Sequence, residues 1–255
     1  MTNLSKVEKK PAFHYGGFIS SGRWWVMCLF IFCMQTFSAR AQTLIAGWDF
    51  EGTSLPEGST GTSRGGFFAS AGTQVGVAEA SGFHADRRTG WTTPSGNGSG
   101  KSLSATSWNV GDYFQFRVSS LGFSGLTVAW DQIRGSEASS NFNFSYSLDG
   151  TNFTSFAAYV VNSLATFADN SFADWWSGST SAINTSYFYD LSSIASLDNQ
   201  SSVFFRLVAT SLSTDTRHRG AIDNVIVTGV PEPGSASLAA LGLVTLLLRK
   251  RRYRR

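Results

Sequence analysis

The chain has 255 residues, 42% hydrophobic, 14% aromatic and only 15% charged, with a formal charge of +3. That charge is uneven. Between Gln42 and Val230 there are one Lys and eight Arg against fifteen Asp and Glu, a balance of −6, so the middle of the chain carries no basic nucleic-acid footprint. Both cysteines, Cys28 and Cys33, precede this region, which excludes disulfides and thiol chemistry from it.

In chain order, Lys6, Lys9, Lys10 and Arg23 precede an apolar run, Trp24–Met34, and Ala39-Arg40-Ala41 then places small residues where a signal peptidase reads. This predicts a secretory signal over residues 1–41, cleaved to leave Gln42 first. The apolar run is too short to favour an uncleaved anchor. Residues 42–230 are then one domain, about 190 residues, enough to bury roughly 70% of the unfolded surface.

The domain reads as all-β. Strand-like runs separated by turn residues occur at Leu44–Phe50, Tyr113–Val118, Leu126–Trp130, Phe142–Leu148, Val203–Val208 and Ile222–Val227. Tyr113, Gln115 and Arg117 alternate with Phe114, Phe116 and Val118, giving one wet face and one buried face. Asp149-Gly150 signals a tight hairpin. Short antiparallel strands without a helical period predict a β-sandwich of the jelly-roll kind.

Candidate chemistry is sparse. The middle region holds two histidines, His84 in His84-Ala85-Asp86-Arg87-Arg88 and His218 in Asp215-Thr216-Arg217-His218-Arg219, both read as polar, solvated turns. No nucleophile elbow, P-loop or metalloprotease motif is present. Asp131 and Glu137 are the nearest approach to a glycosidase pair, which needs carboxyls about 5 to 10 Å apart, but scattered acids produce such pairs by chance. No catalytic residue is assigned, and the domain is read as a non-enzyme. Asp49, Glu51 and Asp223 fall on the first and last strands; if these run side by side the carboxylates form an oxygen cage for a structural Ca²⁺, and otherwise they are three solvated acids. Trp175-Trp176 would point to opposite faces if extended, so that one indole stacks on a sugar, unless a long loop buries both.

At the far end, Pro231-Glu232-Pro233 precedes 15 uncharged residues, Gly234 to Leu248, and then six basic residues up to Arg255. The run is short of the about 20 residues of a full span, and Arg and Lys stems must supply the difference. The basic end places this terminus in the cytoplasm. The order of motif, apolar helix and basic end over residues 231–255 resembles the PEP-CTERM sorting tail of bacterial exported proteins. The resemblance implies processing by an exosortase-type protease at Pro231-Glu232-Pro233 and delivery to the cell surface or exopolysaccharide matrix. Gly47-Trp48-Asp49-Phe50-Glu51-Gly52, the Asp149-Gly150 hairpin and Ala221-Ile222-Asp223-Asn224-Val225 resemble the corresponding parts of carbohydrate-binding-module-like jelly rolls. Three functions follow as expectations: first a surface or matrix protein that adheres to exopolysaccharide, then a lectin-like module with a defined glycan site, then a secreted hydrolase.

Overall fold

The computed structural model describes residues 41–56, 58–163 and 176–232. Among these, twelve strands form two antiparallel six-stranded sheets, and the helices are two single 3₁₀ turns, Ile183–Thr185 and Ala195–Leu197. One sheet is built from β1 (Thr43–Trp48), β4 (Trp91–Thr92), β5 (Leu103–Thr106), β7 (Phe123–Arg134), β10 (Ser186–Asp190) and β12 (Arg219–Pro231). Its order is β10-β7-β12-β5-β4, with β1 also paired to β12. The other holds β2 (Ser63–Phe68), β3 (Glu79–Phe83), β6 (Tyr113–Val118), β8 (Asn141–Ser147), β9 (Thr154–Val160) and β11 (Val203–Ala209), in the order β2-β3-β6-β11-β8-β9.

The expected all-β sandwich stands, and its alternation fixes the core. Phe114, Phe116 and Val118 of β6 are buried, as are Phe142 and Phe144 of β8 and Val203, Phe205 and Leu207 of β11. The facing sheet contributes Ile45, Leu103, Val128, Trp130, Ile222 and Val227 to the same cluster. Leu148, the last residue of the run Phe142–Leu148, lies beyond β8 and is 42% exposed, because it has already entered the hairpin turn, where Gly150 takes φ 72°.

Two predicted strands are longer than their apolar runs: β7 extends on both sides of Leu126–Trp130, and β12 spans Arg219–Pro231. β12 needs its length because β7 flanks it on one side, while β5 and then β1 pair along the other. Its register breaks between Asp223 and Ile226, where Asn224 sits at φ 48°, a left-handed bulge position that Asn tolerates.

β2, β3 and β5 carry no strand signature in the sequence, because Ser-Arg-Gly-Gly-Phe-Phe, Glu-Ala-Ser-Gly-Phe and Leu-Ser-Ala-Thr are too rich in small residues to look strand-like. Packing explains the small residues. A Cβ on Gly82 of β3 would lie 2.4 Å from Cη2 of Trp91, whose indole is fully buried and donates to the Gly61 carbonyl at 2.8 Å. The strand is thin there because a tryptophan lies across it.

Among the described residues no helix is long and apolar enough to cross a membrane. The expected signal helix and C-terminal membrane helix, with Ala39, Pro233 and Trp175, lie outside them. Ala41 and Gln42 are exposed, and Gln42 Oε1 accepts hydrogen bonds from the Thr127 and Thr228 hydroxyls. Pro231 ends β12, and the next residue, Glu232, donates its N–H to the Gly122 carbonyl at 2.8 Å, so the sandwich reaches the first two residues of the Pro-Glu-Pro motif.

Candidate functional site

The outer face of the β2-β3-β6-β11-β8-β9 sheet carries a row of rings. Pairing sets Phe83 of β3 opposite Tyr113 of β6, and their rings stack with centroids 5.6 Å apart at 26°. On the other side of Tyr113, the Arg206 guanidinium of β11 lies 3.8 Å from the ring centroid. The same guanidinium sits 3.7 Å from the centroid of Phe153, just beyond the Asp149-Gly150 turn. Arg206 Nε donates to Gln115 Oε1 at 2.8 Å, which locks the cation between the two rings. Phe83 is exposed, whereas Tyr113, Gln115, Phe153 and Arg206 are half-buried. The stack therefore stands on edge across three strands, offering apolar ring surface beside amide and guanidinium groups.

The turn below Phe153 is rigid. Asp149 accepts from the Thr151 and Asn152 N–H groups, from Asn152 Nδ2 and from the Ser147 hydroxyl. These bonds, led by Asn152, hold its carboxyl well below the usual range. The sequence carries a partial signal for the row: Tyr113 is an aromatic at a wet-face position of an alternating strand. Phe83, Phe153 and Arg206 have none, since their proximity is a product of strand order.

The two histidine runs come together at one end of the sandwich. The Arg88 and Arg217 side chains are solvated as expected, 85% and 74% exposed, whereas Arg219 departs from the expectation and is half-buried. His84 corrects the expectation, being fully buried. Its ring lies edge-on to Trp108 at 4.2 Å and to Trp91 at 4.9 Å, and Nδ1 is 3.2 Å from Asp112 Oδ2. Burial lowers the His84 pKa to about 4, only partly opposed by backbone contacts with Ser107 and Thr106. Burial raises that of Asp112. Asp112 also caps the turn, accepting from the Ala85 and Asn109 N–H groups. The imidazole is a structural wedge between two indoles. His218 is half-buried, with Nδ1 3.5 Å from the Glu137 N–H.

The carboxylates divide differently from the expectation. Strands β1 and β12 do run side by side, yet Asp49, Glu51 and Asp223 do not form a cage, and among the described residues no three acidic, His or Cys side chains converge as metal ligands. Asp49 Oδ1 accepts the Glu51 N–H, and Glu51 Oε1 accepts the Lys101 N–H at 2.8 Å. Asp223 is buried and accepts from the Asn97 N–H at 2.8 Å and the Ser99 hydroxyl at 2.6 Å. The chain's own donors thus hold loop 97–101 against the sheet.

Asp223 pairs in register with Asp131, and Asn97 and Asn224 bridge the two carboxylates. Burial pushes the Asp223 carboxyl up to about 7. The Ser99 hydroxyl also lies 3.1 Å from the Lys101 carbonyl, so its single hydrogen is shared between that oxygen and Asp223 Oδ2. Asp131 and Glu137 share no hydrogen-bond partner: Asp131 is held by Ser186, Asn97 and Asn224, and Glu137 accepts from the Thr214 hydroxyl. Trp176 is 2% exposed and donates Nε1 to Thr185 Oγ1 at 3.2 Å, packed with Ile133 and Ala221, so its indole has no face for a sugar.

No protein-family profile and no curated protein matches the chain. Solved structures do. A family 11 carbohydrate-binding module from Clostridium thermocellum, in complex with a beta-1,3-1,4-mixed-linked tetrasaccharide, shares 15% identity at a TM-score of 0.37, over 77% of this chain and all of that one. A xylan-binding domain of carbohydrate-binding module family 22 shares 13% at 0.38, over 75% and 97%. The K2 cleaved adhesin domain of Lys-gingipain shares 14% at 0.36, over 73% and 97%. With TM-scores this low, the neighbours have no bearing on the ligand of this chain; the stacked rings and polar groups on its own sheet face carry the functional reading.

Proposed function

We propose that the domain is a non-enzymatic, exported glycan-binding module whose ligand lies along the outer face of the β2-β3-β6-β11-β8-β9 sheet. The observation that carries this is the ordered stack of Phe83, Tyr113, Arg206 and Phe153, with the Gln115 amide beside it, on the outer face of the sheet. Pyranose rings combine apolar C–H faces with a fringe of hydroxyls, and the row combines ring surface with the Arg206 guanidinium and the Gln115 amide. A ligand held this way needs little reorganisation, because the stack is already fixed by Gln115 and by the hairpin turn. Phe83→Ala is expected to weaken binding of a neutral polysaccharide such as xylan or mixed-linked glucan about fivefold, near 1 kcal/mol for one ring contact. The melting temperature should fall by no more than a few degrees, since the ring is 38% exposed and loses one stacked partner. Titration calorimetry on the full chain decides: unaltered affinity in Phe83→Ala and in Tyr113→Ala would remove the site from this face.

Delivery to a surface or matrix rests on the tail and the N-terminal signal. We infer that an exosortase-type protease cuts near Pro231-Glu232-Pro233, where β12 has just ended, and that exopolysaccharide is the natural partner. Mass spectrometry of surface-extracted protein is expected to find a C-terminus within a few residues of that motif, and an intact Arg255 would refute the cleavage.

A further inference from the structure

Four of the eight arginines between residues 42 and 230 fall in two short runs, 87–88 and 217–219. The fold brings Arg88 of the first run and Arg217 and Arg219 of the second into the lining of one cleft of about 460 Å³, within the range of small-ligand pockets. Each run builds the same local device. Asp86 Oδ1 accepts the Arg88 backbone N–H at 2.8 Å, and the Arg88 side chain folds back onto that carboxylate through Nε at 3.2 Å and Nη2 at 3.1 Å. Asp215 Oδ1 accepts the Arg217 N–H at 2.8 Å, and Arg217 folds back through Nε at 3.1 Å and Nη2 at 2.6 Å. Two Asp-x-Arg hooks, about 130 residues apart in sequence, thus hold two guanidiniums at the rim of one cavity.

A third cation, Arg219, is half-buried in the lining, with Nη1 bound to Thr92 Oγ1 at 2.7 Å. Hydroxyls complete the wall. Thr106 Oγ1 accepts the Gly90 N–H at 2.8 Å, and the Ser107 hydroxyl donates to the Thr216 carbonyl at 3.2 Å, tying the two loops together. The His84 wedge behind Thr106 and Ser107 stiffens this end. Three arginines against the two hook carboxylates, Asp86 and Asp215, leave a net positive charge at this cleft on a region whose balance is −6. The hooks orient their guanidiniums at little energetic cost to an incoming anion, because such solvent-exposed pairs contribute little by themselves. A guanidinium presents a planar fork that matches carboxylate and sulfate groups.

We propose that this cleft binds the carboxylate or sulfate group of an acidic polysaccharide, with Arg88, Arg217 and Arg219 on the anion and Thr106, Ser107 and Thr216 beside the sugar hydroxyls. The site is separate from the stacked row, although Phe83 at the end of that row stands three residues before Asp86 in the chain. Acidic rather than neutral glycans are its class, because the lining sets guanidiniums beside the Thr106, Ser107 and Thr216 hydroxyls and carries no aromatic ring on which a nucleic-acid base could stack.

The test is affinity measurement on the full chain with polygalacturonate, dextran sulfate, dextran and duplex DNA. Binding to one or both acidic polysaccharides is expected, weakened by added salt, and the one preferred names the anion. Arg88→Gln combined with Arg217→Gln should weaken it about tenfold or more, the loss of charge-assisted hydrogen bonds. The melting temperature should not change, because both side chains are exposed. Lys at both positions should restore only part of the affinity, keeping the charge without the fork. No binding to either acidic polysaccharide, equal binding in the Gln double variant, or equally tight binding of DNA with the same losses would overturn the proposal. Phe83→Ala separates the two sites: it should leave acidic binding by the hooks in place, and neutral-glycan binding that survives the Gln double variant belongs to the sheet face alone.

Discussion

Trp130→Ala is expected to cost about 3 to 5 kcal/mol of folding stability. The indole is 1% exposed and lies between Phe144, stacked at 5.5 Å and 15°, and Tyr187, stacked at 5.5 Å and 19°. Phe144 comes from one sheet and Tyr187 from the other, so the ring joins the two layers through aromatic contact. Tyr159 closes a third side edge-on at 5.4 Å. Trp130 Nε1 donates to Gln132 Oε1 at 3.0 Å, an oxygen that also receives the Tyr159 hydroxyl at 2.7 Å. Truncation would open a cavity too large to close by small movements and break one arm of a buried polar network. For a domain of this size the loss corresponds to roughly 6 to 20 °C in melting temperature. Denaturant unfolding of wild type and variant measures it, and a cost under about 1 kcal/mol would mean that this ring does not organise the core. Trp130→Phe, which keeps the stack but not the donor, should fall between the two.

The second large effect is in pH. His84 is buried with its pKa lowered to about 4 from the ordinary 6.5, so the folded state resists a proton that the unfolded chain accepts. The stability it contributes is complete above pH 6.5 and is lost progressively as the pH falls through 4. The full difference is about 3 kcal/mol, because each tenfold change in proton affinity between the folded and unfolded chain is worth roughly 1.4 kcal/mol. Asp223 runs in the opposite sense. Its folded pKa, raised to about 7, gives stability that is present below the ordinary carboxylate range near 4 and disappears as pH rises through 7. The two oppose each other over much of the acid range, so wild-type stability alone does not isolate either one. The informative quantity is the pH dependence of the difference between wild type and His84→Phe. Relative to that variant, wild type should lose about 3 kcal/mol between pH 7.5 and 4. A difference that stays constant across this range would show that burial leaves the His84 pKa at its ordinary value, and a wild type that gains stability as the pH falls would show a protonated His84 paired with Asp112.

Where strands carry large alternating residues, local pattern is sufficient. Tyr113–Val118 spans β6 to the residue, and Val203–Val208 covers all of β11 but its last position. The period of two and the preference of bulky rings for a buried face are local properties, and so is the Asp149-Gly150 turn, where an Asp side chain and a glycine with φ above zero act within four residues. The all-β class, the absence of thiol chemistry and the negative charge of residues 42–230 are likewise set by the amino acids in their order.

Packing between distant segments accounts for the rest. β3 and β5 are strands because neighbours complete their ladders and Trp91 needs the space left by Gly82, although their small residues have little strand preference. His84 sits in a run that reads as a polar turn, yet it is buried because Trp91 and Trp108 close over it from other elements. Strand position groups Asp223 with Asp49 and Glu51, but the bulge at Asn224 and loop 97–101 give it Asp131 as its partner. The stacked row and the paired Asp-x-Arg hooks share this origin. Each joins residues 30 to 130 positions apart, and their proximity is set by strand order and register, which no local pattern in the chain encodes.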